Sequence, residues 1–477
     1  MPLPDPYALP TDPAGPEERE PANPVRRGLL LATLEAGVVG GMVVVNEAWI
    51  VPLLQKQLGA SAQIIGLLTT VPMLMAMVFG PIVAPIIAFL GGNKRTAMLT
   101  CWVQIIGFIL LALPLHFAGA AWALPIGVTL AITINAVGAV GGPAWISWMG
   151  DLIPRRVRGR YSSNRARLHH ASRIGCALGF AALMNAFVAD SATGMHLLLA
   201  IATLSRLGSL WLMKRQPEPP PRLHDPSSAT GRVAAQEARD FLSFLKSINR
   251  TEVGRWTLVW AVLHFGCALA GPYFMPYWLE KTDRGGLGLD QQPFLYTMFV
   301  YLSTVVRLIA LPVVGRLVDH FGPAAMLRIA VAGIMIVPFG WAASTSLNVL
   351  VPTEILSGLS WCTAECAVSV LLFGCSSDPQ HRARLIGYHQ SVCCCAIALS
   401  SLLGGFLLTV IPPLDGSPFR TLFAISIACR IPAVLLAIRY LPELKDPQRL
   451  TGLWRLIPGL QPTITLSRGV MRTFRRP

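Results

Sequence analysis

The stretch Lys94-Arg95-Thr-Ala-Met-Leu-Thr-Cys-Trp-Val-Gln-Ile-Ile-Gly-Phe-Ile-Leu-Leu-Ala-Leu-Pro-Leu-His116-Phe117 decides what kind of protein this is. A basic pair is followed, over 96–117, by a run without carboxylate, lysine or arginine. As a helix rising ~1.5 Å per residue, that run crosses a hydrocarbon core ~30 Å thick. Working outward, similar runs are predicted at 28–53, 61–89, 122–149, 170–190 and 193–214, then at 257–280, 291–316, 323–346, 348–375, 386–411 and 418–441. The chain is 53% hydrophobic and 13% charged, against roughly 25% charged in soluble domains, so a soluble multi-domain reading fails. Its 42 Gly and 38 Pro also suit membrane helices, whose neighbours re-satisfy a broken backbone.

The net charge of +15 invites a nucleic-acid partner, but the placement of the charges argues against one. Of 39 Lys and Arg, 32 fall in the tails, the central segment and every second loop. Four lie on the other side (Lys56, Lys281, Arg284, Arg420), and Arg206, Arg307 and Arg430 lie within spans. Such alternation is the positive-inside pattern, which predicts an even number of spans in an inner membrane with both termini cytoplasmic.

The ten cysteines lie mostly in apolar runs with no paired CxxC, so no disulfide framework or cofactor is expected; Cys393-Cys394-Cys395 and the Cys362/Cys366 pair read as packing residues rather than a soft-metal site. Residues 1–27, Pro-rich and acidic, read as a disordered tail rather than a cleaved leader. Between the sixth and seventh spans, 215–256 is a linker. Val233, Phe241, Phe244, Leu245 and Ile248 share one helical face there, opposite Arg239 and Lys246, as in a helix lying on a membrane surface. Residues 442–477 form a basic tail with Leu453, Trp454, Leu456 and Ile457 interleaved, suited to an anionic leaflet.

The two halves, 28–214 and 257–441, repeat. Arg158-Gly-Arg160 matches Arg382-Ala-Arg384, Arg206 matches Arg430, and Pro52 matches Pro276, all at an offset of 224 residues. The expected fold class is therefore an all-α membrane protein of twelve transmembrane helices in two pseudo-symmetric six-helix bundles.

Leu311-Pro-Val-Val-Gly315-Arg316-Leu-Val-Asp319-His-Phe-Gly322 resembles the loop signature of the major facilitator superfamily at its second-half position. The resemblance covers 28–441 and extends to the loops around Asp151 to Arg160 and Asp378 to Arg384. It implies that the glycine lets two helices approach and that the Asp319 carboxylate clamps a cytoplasmic gate, with Gly315, Arg316, Gly322, Arg158 and Arg160 as the other gate residues. The first-half copy departs from the pattern, with Ala84 and Ala88 at the glycine and aspartate positions, so that loop gates more weakly or through other contacts. No subfamily of known substrate matches closely.

Ionisable groups are costly at membrane depth and mark paired or functional positions. Glu365 in the tenth span and Arg307 in the eighth are the strongest candidates, as an ion pair that exchanges a proton or as a fixed structural pair. Asn46 and Glu47 in the first span, Asn135 in the fourth, His264 in the seventh, and Trp361 with Glu365 in the tenth are candidate substrate-binding residues. Each has a bland alternative as a hydrogen-bonded core residue or, for Glu47, as a group reaching outer water. Glu35 is expected to face water or a loop arginine, and Glu354 to snorkel outward. The repeated Arg206 and Arg430 are expected to serve the scaffold. Tyr273, Tyr277 and Trp278 suit either a stacking wall or the interfacial aromatic belt.

No GxxxxGK[ST] sequence is present, and neither a metal-spaced His pair nor a GxSxG nucleophile, so nucleotide-driven pumping and enzymatic chemistry find no support. The expected function is secondary active transport of a small organic solute, proton-coupled, by a monomer whose partners are the solute and the bilayer. The alternative is a membrane sensor or assembly factor on the same fold. A central cavity lined by polar groups from both halves favours transport, and one packed shut by apolar side chains favours the alternative.

Overall fold

The computed structural model describes residues 23–80, 86–87, 89–152, 158–218, 231–373, 375–376 and 379–441. The predicted tails therefore lie almost wholly outside the described residues, as do Ala84 and Ala88 of the first-half gate sequence. Six long helices form the first half: α1 (Arg27–Gln57), α2 (Ala62–Phe79), α3 (Asn93–His116), α4 (Ala123–Met149), α5 (Arg158–Ala186) and α6 (Ser191–Arg215). Six more form the second: α7 (Glu252–Leu279), α8 (Pro293–Phe321), α9 (Pro323–Ala343), α10 (Leu347–Phe373), α11 (Pro379–Val410) and α12 (Pro418–Tyr440). Below, the end of the bundle carrying residues 23 and 441 and the linker is the linker end, and the opposite one the far end.

Eleven of the twelve helices are long and apolar enough to cross a membrane; α5 is the exception. The hydrophobic pattern predicts its start near residue 170, yet the helix begins at Arg158. It carries Arg158, Arg160, Arg165, Arg167, His169, His170 and Arg173, which make its first half polar and hide where the helix starts. These residues were expected in a loop; instead, Arg165 and Arg173 lie against α1, where carboxylates await them.

Side chains set the helix starts. Ser61, Asp190, Thr251 and Ser417 accept hydrogen bonds from the backbone N–H three residues on, capping α2, α6, α7 and α12. Within each half, α1 packs on α5 and α6, and α3 on α4 and α6; α7 packs on α11 and α12, and α10 on α8 and α9. The halves meet through α2 with α11 and through α5 with α8, two pairs that exchange under the sequence duplication. One hydrophobic cluster, running from Trp49 and Leu53 to Tyr273, Trp341 and Phe423, joins both halves toward the far end. Toward the linker end the cores separate, one around Ala32, Trp148 and Met213, another around Val259, Leu327 and Ala433.

The linker helix, Gly231–Lys246, docks on the second half. Phe241 and Phe244 pack on Tyr388 of α11 with ring centroids 5.4 and 5.6 Å apart, beside Val253 of α7. The second-half gate sequence is also less of a loop than its motif implies. Helix α8 continues through Asp319 to Phe321, and Gly322 alone, at φ 87°, makes the turn into α9. That dihedral suits glycine because it has no Cβ.

Candidate functional site

Helix α1 is irregular at mid-depth. Val45–Trp49 forms a π-helical turn, and a second follows Pro52 at Leu53–Gln57. An extra residue per turn frees backbone groups and re-aims side chains, and such turns recur at functional positions. The first turn carries Asn46 and Glu47 to the edge of a cavity of about 410 Å³ between the halves. Its lining also includes Thr69 of α2, Asn135 of α4, His264 and Cys267 of α7 and Ile397 of α11.

Four of the candidate residues thus share one cavity: Asn46, Glu47, Asn135 and His264. Asn46 Nδ2 donates to Asn135 Oδ1 at 2.9 Å, and Asn135 Nδ2 donates to the Ala131 carbonyl. Glu47 pairs with Arg173 of α5, whose guanidinium lies 5.9 Å from the centroid of the Tyr301 ring on α8. Pattern reading missed Arg173, since a loop placement removed it from consideration; its spacing from Arg165, two helical turns on one face, was the available signal.

The second-half candidates continue from His264. Its Nδ1 lies 2.9 Å from the Trp260 carbonyl, and its ring stands edge-on to Trp361 at 5.6 Å. Trp361 does not line the cavity; it forms a second layer between His264 and Arg307, whose guanidinium lies 5.7 Å from the indole centroid. Arg307 Nη1 donates to Glu365 Oε1 at 2.9 Å, and the two side chains are 34% and 50% exposed. At that exposure the pair is not locked in a packed core.

The other deep charges are satisfied differently. Glu35 is buried, accepting from Arg165 Nη2 at 3.0 Å and from Ser209 Oγ at 2.8 Å. Glu354 does not snorkel: it is buried and accepts from Trp341 Nε1 at 3.2 Å, because the aromatic cluster of α9 offers a donor nearer than water. Arg430 is buried and donates to the Ile334 carbonyl at 2.7 Å, whereas Arg206 reaches Ser209 Oγ at 3.2 Å.

Beyond the cavity the far end is shut by contacts between halves. Ser401 Oγ of α11 donates to the Gly66 carbonyl of α2 at 3.1 Å, and Tyr273 Oη, on the second-half side of the same seam, donates to the Ser401 carbonyl at 2.6 Å. Tyr296 Oη donates to the Ala48 carbonyl, and Gln55 Nε2 reaches the Pro276 carbonyl at 3.4 Å. Lys56 and Asp290 pair at 3.5 Å. Tyr273, Tyr277 and Trp278 are all buried, so they form neither an interfacial belt nor a ligand wall. Tyr277 and Trp278 pack with Trp341, which pairs with Phe299, and Tyr273 is a bolt of the seal.

Of the gate residues, Gly315 has open space where a Cβ would stand, Arg316 is exposed and engaged in an interaction, and Gly322 makes the turn. Asp319, Arg158 and Arg160 lie on helices whose side chains at those positions are outside the described residues.

Similarity to known proteins follows this architecture. No curated protein sequence matches the chain significantly. A D-xylose–proton symporter superposes with a TM-score of 0.64 at 15% identity, over 88% of this chain and 98% of that one. A mutant of the nucleoside transporter NupG gives 0.63 at 10% identity, over 88% of this chain and all of the other. A bacterial homologue of the human lysosomal transporter Spinster, inward-facing and unoccupied, gives 0.59 at 14% identity over 88% and 96%. At these identities the likeness is one of fold. The family model of the Major Facilitator Superfamily matches residues 29–377, most of the chain and parts of both halves, and so the protein belongs to the Major Facilitator Superfamily.

Proposed function

We propose that the protein is a secondary active transporter that moves a small organic solute across the bacterial inner membrane by alternating access. One observation carries this reading over the sensor or assembly alternative: the central cavity is open and lined by hydrogen-bonding groups from both halves, Asn46, Glu47 and Asn135 from one and His264 from the other. A site shared by two bodies that rock against each other faces each side in turn. The far-end seal and the separated linker-end cores match the state in which the cavity faces the linker end. By the distribution of Lys and Arg that end is the cytoplasm.

A cavity of about 410 Å³ with mainly apolar walls and a few amides suits a small neutral or amphipathic molecule. Proton coupling is assigned to the Arg307–Glu365 pair. Substrate against His264 shifts the Trp361 ring behind it and with it Arg307, and Glu365, left without its cation, takes up a proton. Asp319 closes the cytoplasmic side in the opposite state, drawn to the start of α5 and its arginines, where free helix N–H groups favour a carboxylate.

The test is a thermal-shift screen of the purified chain against sugars, nucleosides, amino acids, organic acids and hydrophobic cations at two pH values, with and without sodium. A ligand at ~100 times its dissociation constant stabilises by about 2.7 kcal/mol. The expected hit is pH-sensitive in the parent and pH-insensitive in Glu365→Gln, which in proteoliposomes keeps solute exchange and loses proton-driven accumulation. A Glu365→Gln variant that accumulates solute normally refutes the coupling role. No hit in any class turns the reading toward the sensor or assembly alternative.

A further inference from the structure

The first half holds a second cavity of about 360 Å³ at its linker end, sharing no lining residue with the central one. It lies inside the bundle, between α1, α3, α4, α5 and α6, and three charged side chains reach it: Glu35, Arg165 and Arg206. Their pairing leaves one cation over. Both Glu35 oxygens are engaged, one by Arg165 and one by Ser209. Arg165 is further fixed by the Ala32 carbonyl and by stacking 4.2 Å from the Trp145 ring centroid. Among the described residues, Arg206 keeps a single hydrogen bond, to Ser209 Oγ, and its Nε is buried without a partner. Across the same cavity Gln104 donates to the Ile134 carbonyl, which fixes its amide orientation, and its Oε1 is buried without a partner.

The fold does not require this polar core. At the offset of 224 residues that relates Arg206 to Arg430, Glu35 corresponds to Val259 and Arg165 to His389. In the second half Val259 is fully buried in an apolar cluster, and His389 is satisfied by the Thr257 hydroxyl at 3.0 Å. At these positions the second half has no ion pair among the described residues, its Arg430 being met by the Ile334 carbonyl alone, so the Glu35–Arg165 pair and the cavity beside Arg206 are an elaboration of the first half. An unbalanced cation among apolar helices is costly, and an anion filling the cavity removes that cost. A ligand that also donates a hydrogen bond to Gln104 Oε1 completes the site. A halide or an ionised carboxylate cannot do this, whereas a monoprotonated phosphate group both accepts from arginine and donates from P–OH.

We infer that this cavity is a phosphate-group site, separate from the transport cavity and lined by Arg206, Arg165 and Gln104. Ile146, 66% exposed, stands at its rim, so the group arrives as free phosphate or on a lipid headgroup.

The experiment uses the full chain and two probes: inorganic phosphate at constant ionic strength, and phosphatidic acid in phosphatidylcholine nanodiscs. Stabilisation by phosphate supports the site with a free ligand, and stabilisation by phosphatidic acid alone supports it with a lipid headgroup. In Arg206→Gln, loss of a charged hydrogen bond weakens the response by roughly tenfold or more. In case that variant folds poorly, Gly142→Leu tests the space alone. Gly142 lines the cavity, and a Cβ there meets no atom within 4 Å, so the added side chain fills the void with every charge in place. It is expected to fold with parental melting, keep its response to ligands of the central cavity, and lose the phosphate response. No stabilisation by either probe, or a response undiminished in Gly142→Leu, overturns the inference.

Discussion

The far-end seal offers the sharpest perturbation. Tyr273 of α7 is fully buried in a notch where α2 and α11 present glycines. A Cβ on Gly66 would lie 2.2 Å from Tyr273 Oη and 3.0 Å from its Cζ, and one on Gly405 would lie 2.7 Å from the same oxygen. Gly66→Ala therefore acts as a one-methyl wedge between the halves. To make room, α2 must move about an ångström away from Tyr273, which breaks the Ser401–Gly66 hydrogen bond across the seam. That bond is worth about 1 kcal/mol and overpacking costs about 1–3 kcal/mol. The wedge also falls where two rigid bodies meet, so it favours the state in which they separate there. A bias of ~3 kcal/mol against the sealed state changes the ratio of the two states by roughly a hundredfold or more. Hydrogen–deuterium exchange by mass spectrometry reads this without labels. In Gly66→Ala, segments 61–70, 271–279 and 400–410 should exchange faster, and helix ends at the linker end more slowly. Adding Tyr273→Phe removes the clashing oxygen but leaves Cζ close, so the double variant should recover only part of the parental pattern. Unchanged exchange in Gly66→Ala, with unchanged melting, refutes a seal packed to contact.

Two further expectations concern stability. Trp341→Phe deprives buried Glu354 of its hydrogen-bond donor and should cost about 1–3 kcal/mol, less in a Glu354→Gln background; equal losses in both backgrounds in thermal melts refute the pairing. At the far end, hydrogen bonding from Thr193 holds the exposed Asp190 carboxyl below its ordinary value of 3.8. The native pKa being lowered, the cap's stabilisation is present above that value and lost as pH falls through the native pKa. Asp190→Ala should melt lower near neutrality and lose that part of the acid dependence; parallel pH profiles for variant and parent contradict it.

Much of the architecture was legible in the sequence because a bilayer imposes it: spans must be apolar, and loops of alternate sign report the side on which they lie. What escaped was the first part of α5, ahead of the span predicted from residue 170, because a helix whose charges face protein need not be apolar, and hydropathy cannot tell a charge facing lipid from one facing a carboxylate. Arg165 and Arg173 sit two turns apart on α5, and Glu35 and Glu47 three turns apart on α1, so the pairs form only when the two helices lie side by side. For the same reason Asn46 meets Asn135, and His264 comes through Trp361 to Arg307, from elements far apart in the chain.

By itself the sequence determined the class of protein, the number of spans, the duplication and which polar residues sit at depth. Those properties follow from local composition and period, which solvent and lipid read residue by residue. Only the tertiary structure decided which of those residues share a cavity, which charges neutralise one another and which arginine is left over. Partnership across helices depends on rotation and tilt, which packing sets and a one-dimensional pattern does not carry. Glu354 and Tyr273 make the difference plain. One is a span-end carboxylate and the other a tyrosine near a helix end, and either sequence context points to an interface with water. Packing instead buries one against Trp341 and the other between the two halves of the molecule.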